Sequence, residues 1–174
     1  MPKPTRPERR AYALLVEHGI TRPPIPIDDL ARKLGARLSF EAFSSNISGL
    51  LYRDGLNVTM AINSSHATTR QRFTIAHEIG HLLLHEGPMF VDKAMRIDRR
   101  DDNAALGTAP EEIEANGFAA ALLMPAHMVI GMLTQLSRAN ATADEIIAAL
   151  AHGFSVSSQA MEYRLVNLGL LEPH

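Results

Sequence analysis

The segment from Thr69 to Glu86 constrains this chain most, because it reads as one long helix with two chemically different sides. At the α-helical period of 3.6 residues per turn, His77, His81 and His85 fall on one stripe, with Gly80 and Leu84 beside it. Ile75, Ala76, Ile79, Leu82 and Leu83 occupy the opposite side. Such a helix needs a hydrophobic core for its aliphatic face and something polar for its imidazoles. Thr68 with Gln71 offers a capping box at its start, and Gly87-Pro88 closes it.

Shorter elements surround it. Pro7 to His18 reads as an amphipathic helix built on Ala11, Leu14 and Leu15, and Asp28 to Leu34 as a second helix stopped by Gly35. Strand character follows at Arg37 to Phe43, Gly49 to Tyr52 and Asn57 to Ile62, with Asp54-Gly55 as a hairpin turn between the last two. Met89 to Ile97 is a further expected strand. Pro110 suits a first helical turn, opening an Ala-rich helix that stops at Pro125. Ala126 to Leu170 reads as three short helices, with a turn at His152-Gly153 between the last two. The expectation is an α+β fold: a small antiparallel sheet packed on a helical core, with a C-terminal helical segment. We expect residues 1–125 to form the core and residues 126–174 a helix-turn-helix-like subdomain.

At 174 residues the chain suits one compact domain with at most a small appendage. Its formal net charge of −2 gives no reason to expect a nucleic-acid coat or a membrane-surface protein. The Pro-rich start lacks the apolar core of a signal peptide, and no stretch approaches the roughly 18 apolar residues of a spanning helix. A cytoplasmic protein is expected. There is no cysteine, so any transition metal must be held by imidazole and carboxylate.

Those ligands stand at the helix centre. His77 and His81, four residues apart, present rings on adjacent turns, about 5 to 6 Å apart at Cβ, so both can converge on one cation. Glu78 lies about 100° further round the helix and can reach a water at that cation without ligating it. Peptide hydrolysis needs this division of labour: Zn²⁺ lowers the pKa of water to about 7, and a carboxylate takes the proton and delivers it to the leaving amine. The run His77-Glu78-Ile79-Gly80-His81 therefore points to a zinc peptidase, with His77 and His81 on the metal and Glu78 as base.

A third protein ligand is required, with His66, His85, His127 or an acid as candidates. His85 shares the helix with the other two, and three points along one line cannot surround a tetrahedral ion, so it reads as a group behind the ligands or a solvated one. The helix opening at Pro110 brings Glu111, Glu112 and Glu114 ahead of the small run Ala119-Ala120-Ala121, and Gly80 and Gly117 would allow two helices to approach closely. Asn116, four residues after Glu112, could hydrogen-bond a liganding group; Glu114 has Phe118 at the same spacing.

Two stretches, from Arg70 through His77-Glu78-Ile79-Gly80-His81 to His85 and from Glu112-Ile113-Glu114-Ala115-Asn116 to Met124-Pro125, resemble the ImmA/IrrE family of metallopeptidases. The resemblance implies a zincin-like core and one Zn²⁺, and gives Glu112 as the third ligand with Glu114 as the runner-up. It also implies a regulatory protease of stress responses, whose substrate is a protein such as a helix-turn-helix transcriptional repressor.

The competing expectation is a non-catalytic regulator that binds DNA or a partner in the manner of an antitoxin. Residues 141–174 have a helix-turn-helix outline, yet they hold Asp144, Glu145, Glu162 and Glu172 against the single base Arg164. Phosphate contact needs several Lys or Arg, so direct DNA binding is not expected. A packing role or a grip on the substrate protein suits the segment better. A peptide substrate is expected to add to an exposed strand edge, at Met89 to Ile97 or at the strand ending in Tyr52. Tyr52, Tyr163 and His85 are candidates for stabilising the oxyanion.

Overall fold

The computed structural model describes residues 3–93, 110–137 and 141–172. The chain runs α1 (Arg6–Glu17), α2 (Ile27–Lys33), β1 (Ala36–Glu41), β2 (Ile47–Asp54), β3 (Asn57–Asn63), α3 (Thr68–Leu84), β4 (Met89–Lys93), α4 (Pro110–Leu123), α5 (Ala126–Leu136), α6 (Ala143–Phe154) and α7 (Ser158–Asn167). The fold is α+β. Two compact units are present, one of Pro26–Ala119 and one of Met1–Ile25 with Ala120–His174. Among the described residues no single helix is long and apolar enough to cross a membrane. The end of the expected fourth strand, at 94–97, lies outside the described residues.

In the unit of Pro26–Ala119 the strands lie in the order β1-β3-β2-β4. β2 pairs antiparallel with β3 through the turn at Gly55, whose φ of +58° suits a residue without a Cβ. β2 also pairs antiparallel with β4, but β1 pairs parallel with β3, with Leu38 opposite Met60. The sheet is therefore mixed, where alternation alone had suggested a wholly antiparallel one. The reason is tertiary. Asn63, fully buried at the end of β3, directs its Nδ2 at the carbonyls of Ser44 and Ile47, 3.1 and 2.7 Å away, in the β1 to β2 connection. That bond set draws β3 between the two earlier strands, an arrangement no local pattern encodes.

Leu51, Met60 and Ile62 form the buried face of the sheet, and α3 lies against β2 and β3 with Ile75 and Ile79 also fully or nearly fully buried. Each such side chain contributes about 1.5–3 kcal/mol on leaving water. The Thr68 capping box does not form: α3 begins at Thr68 with Ala67 at the cap, and Gln71 instead donates from Nε2 to His66 O at 2.8 Å and Ser64 O at 3.2 Å. Gln71 thus holds the turn before the helix rather than the helix start.

The other unit contains α1, α5, α6 and α7. Phe154, Leu14, Leu15, Val129 and Met161 are buried in it. Arg164 is 6% exposed, donating from Nε to Met124 O at 3.0 Å and from its guanidinium to Glu8 Oε1 at 2.8 Å. His152-Gly153 lies inside α6; the helix ends at Ser155, which takes a left-handed φ of +53°. Gly153 answers a packing need instead, since a Cβ there would stand 2.6 Å from Met132 Cε of α5.

Candidate metal centre

Both sides of α3 are buried at its centre, from Thr74 through His81. Burying an imidazole or a carboxylate without a partner is costly, so the polar stripe must be answered by neighbouring elements. Gly80 makes this possible. A Cβ at Gly80 would lie 3.1 Å from Ala115 Cα and 3.2 Å from Phe118 Cδ1, so its absence allows α4 to lie close over the stripe.

α4 then delivers Glu112. Its two carboxylate oxygens lie 3.2 Å from His77 Nε2 and 3.2 Å from His81 Nε2, and the two Nε2 atoms are 3.0 Å apart. One ligand atom from each of His77, His81 and Glu112 falls within 4.8 Å of the others, a group able to hold a metal ion. The far sides of the rings are fixed. Asn116 Oδ1 accepts from His77 Nδ1 at 3.0 Å, His81 Nδ1 lies 3.0 Å from His85 Nδ1, and Phe90 of β4 stacks on His81 at 4.4 Å between centroids. With Nδ1 protonated, a neutral His77 has its Nε2 lone pair facing the centre, as cation binding requires.

Glu78 is fully buried, and among the described residues neither of its oxygens has a hydrogen-bond partner. Its carboxylate lies against β2, where a Cβ on Gly49 would stand 3.0 Å from Glu78 Oε1 and would collide with Thr74 Cγ2. Glycine at this strand position is what lets the carboxylate sit there. An unpaired buried carboxylate beside three convergent ligand atoms fits a site that takes a cation and a water, and the donor set suits zinc or a comparable transition metal.

The protein's own groups already polarise the cluster. Burial pushes Glu78 up to about 8, helped by Asp92 and Glu112 and opposed by His77. Glu112 is held down at about 2: burial works against this, but its hydrogen bonds and charge interactions with His77 and His81 outweigh it. His81 is lowered, chiefly by burial, whereas for His77 burial is outweighed by Glu112, Asp92 and Glu78, which together raise it. Asp92 on β4 is raised by burial and feels His77, Glu112 and Arg70.

Of the other residues singled out from sequence, Glu114 meets His85, with Oε2 3.1 Å from Nε2. His66 points its Nε2 to Ser45 O at 3.3 Å, and His127 packs edge-on to Tyr12; neither joins the cluster. Tyr52 lies 45% exposed on the strand face opposite Leu51, and Tyr163 is 49% exposed on α7. Sequence reading missed Gly49, Phe90 and Asp92, whose roles depend on strand placement. It also missed Arg53, whose guanidinium donates to the carbonyls of His81, Leu82, His85 and Gly87 and so holds the C-terminal end of α3. A lone Arg in an alternating strand gives no local signal of that.

The family profile described as the IrrE N-terminal-like domain, a peptidase family, matches residues 31–166. No curated protein matches the chain.

Proposed function

The chain belongs to the IrrE N-terminal-like domain family, and from that membership we propose that it is a zinc-dependent endopeptidase acting on a regulatory protein. The observation carrying this reading is the convergence of His77, His81 and Glu112 within 4.8 Å beside the unpaired, buried Glu78. His77, His81 and Glu112 would hold the ion. Zn²⁺ there would supply a Lewis acid that acidifies water and polarises a peptide carbonyl, and its charge would favour the ionised form of Glu78.

The side chains divide the remaining work. Glu78 takes a proton from the attacking water on a carboxylate oxygen and hands it to the departing amine nitrogen. Its burial excludes bulk water, which keeps that proton local and leaves the carboxyl poised near neutrality. Asn116 holds the His77 ring, and Phe90 limits rotation of His81.

Substrate placement falls to β4. It pairs with β2 on one side, and among the described residues no strand covers its other edge. Tyr52 belongs to β2, an inner strand, so β4 is the edge to which an extended peptide can add. The substrate we propose is a helix-turn-helix repressor encoded beside this protein, cleaved in the cytoplasm. Against a DNA-binding role stands Arg164, the one base of the C-terminal segment, which is buried on Glu8 and Met124.

The test pairs two variants with the wild type on that repressor, with and without chelator. Glu112→Ala should lose zinc, with affinity reduced by more than roughly 100-fold. Glu78→Gln should keep stoichiometric zinc while cleavage falls by about 10²- to 10⁴-fold. Wild-type turnover by Glu78→Gln, or full zinc retention by Glu112→Ala, would overturn the assignment.

A further inference from the structure

His81 and His77 are supported differently. The Nδ1 of His77 meets the single amide of Asn116, whereas that of His81 meets a second imidazole, His85 Nδ1 at 3.0 Å, whose own Nε2 lies 3.1 Å from Glu114 Oε2. His85 is the C-cap residue of α3, with extended backbone at φ −124° and ψ 150°, and its side chain is only 4% exposed. Glu114 comes from α4, two residues beyond Glu112, so one helix supplies a carboxylate to each end of the histidine stripe.

With neutral imidazoles and an ionised carboxylate, one arrangement of protons satisfies these contacts. A neutral imidazole carries one N–H, and an ionised carboxylate can only accept. Glu114 therefore fixes the proton of His85 on Nε2, which leaves His85 Nδ1 as an acceptor. His81 must then carry its proton on Nδ1 to donate across the 3.0 Å contact, and its lone pair sits on Nε2, the atom facing Glu112 and His77. From this geometry we infer that His85 and Glu114 are positioning residues. They form a two-step relay that sets the tautomer and orientation of His81 as a ligand, and they carry negative charge toward it. Partners behind a liganding imidazole raise its basicity and fix its ring, and their loss typically weakens metal binding 10- to 100-fold. Phe90, stacked on His81, restricts the ring's remaining freedom.

This inference rests on the metal-site reading proposed above, and the experiment separates the two. Zinc affinity is measured by competition with a chromophoric chelator for the wild type, Glu114→Ala, Glu114→Gln and His85→Ala. Failure of the wild type to bind zinc overturns the metal site itself. Given wild-type binding, the relay requires about tenfold weaker binding or more in Glu114→Ala and His85→Ala. Glu114→Gln should lose less, because its amide oxygen still accepts from His85 Nε2. Affinities within twofold of wild type in all three variants overturn the relay. Imidazole ¹⁵N shifts of the zinc-loaded wild type provide a readout that does not depend on any variant folding. They should show His85 protonated on Nε2 and His81 on Nδ1, and a His85 proton on Nδ1 overturns the assignment.

Discussion

Helices α3 and α7 both make contacts distant in sequence, but they differ in what their own residues supply. α7 has local signals: Ser157 caps it by accepting from Ala160 N at 3.1 Å, and the preceding helix α6 carries a full capping box of Thr142 with Glu145. α3 has no side-chain cap at its start, and it buries two histidines and a glutamate at its centre. Its order comes from other elements: Gln71 tied to the preceding turn, Gly49 and Phe90 from the sheet, Glu112 and Asn116 from α4, and Arg53 across its last carbonyls. A helix that buries reactive groups gives up local stability, and the surrounding structure restores it.

The contrast breaks first at Arg53. Arg53→Met keeps most of the side-chain volume but removes the donors to the end of α3, which should destabilise the protein by about 3 kcal/mol. It should also weaken zinc binding by about tenfold, because the carbonyls it holds include those of His81 and His85. Unchanged melting temperature and zinc affinity would mean that α3 depends on distant contacts no more than α7 does.

A smaller effect is expected from proton binding by the metal-free protein. Glu78 is raised to about 8, so between its ordinary range and pH 8 the folded state holds a proton that the unfolded chain has released. The contribution of this group to stability is present at low pH and is lost as pH rises. His77, also raised, acts in the same direction, while the lowered His81 acts oppositely up to its ordinary value near pH 6.5. Chelated protein should therefore melt lower at pH 8 than at pH 6.5, by at most about 1.4 kcal/mol per pH unit from Glu78, and Glu78→Gln should flatten the profile. A wild-type profile already flat over this range would contradict the burial assigned to Glu78.

The smallest change sharpens the contrast from the other side. Ser157→Ala removes one cap and should cost about 1 kcal/mol, with zinc affinity unaltered. A matching loss of zinc affinity would show that α7 and the site are not separable in this way.

How much was legible follows the same division. α1, the β2 to β3 hairpin and the three C-terminal helices were readable because caps, turn glycines and periodicity act over a few residues. The histidine stripe was readable for the same reason, and Asn116 beside Glu112 suggested a partner for a ligand. The parallel pairing of β1 with β3 was not readable, because it depends on Asn63 reaching across sequence to Ser44 and Ile47. Nor was the end of α6, where Gly153 suggested a turn but serves Met132.

By itself the sequence determined that His77, Glu78 and His81 share one region of a helix, since the helical repeat alone fixes their relative directions. It also excluded thiolate ligands, since there is no cysteine in the chain. Tertiary structure decided which acid meets the two imidazoles. It placed Glu112 on His77 and His81 and Glu114 on His85, because the approach of α4 at Gly80 sets distances that helix periodicity cannot.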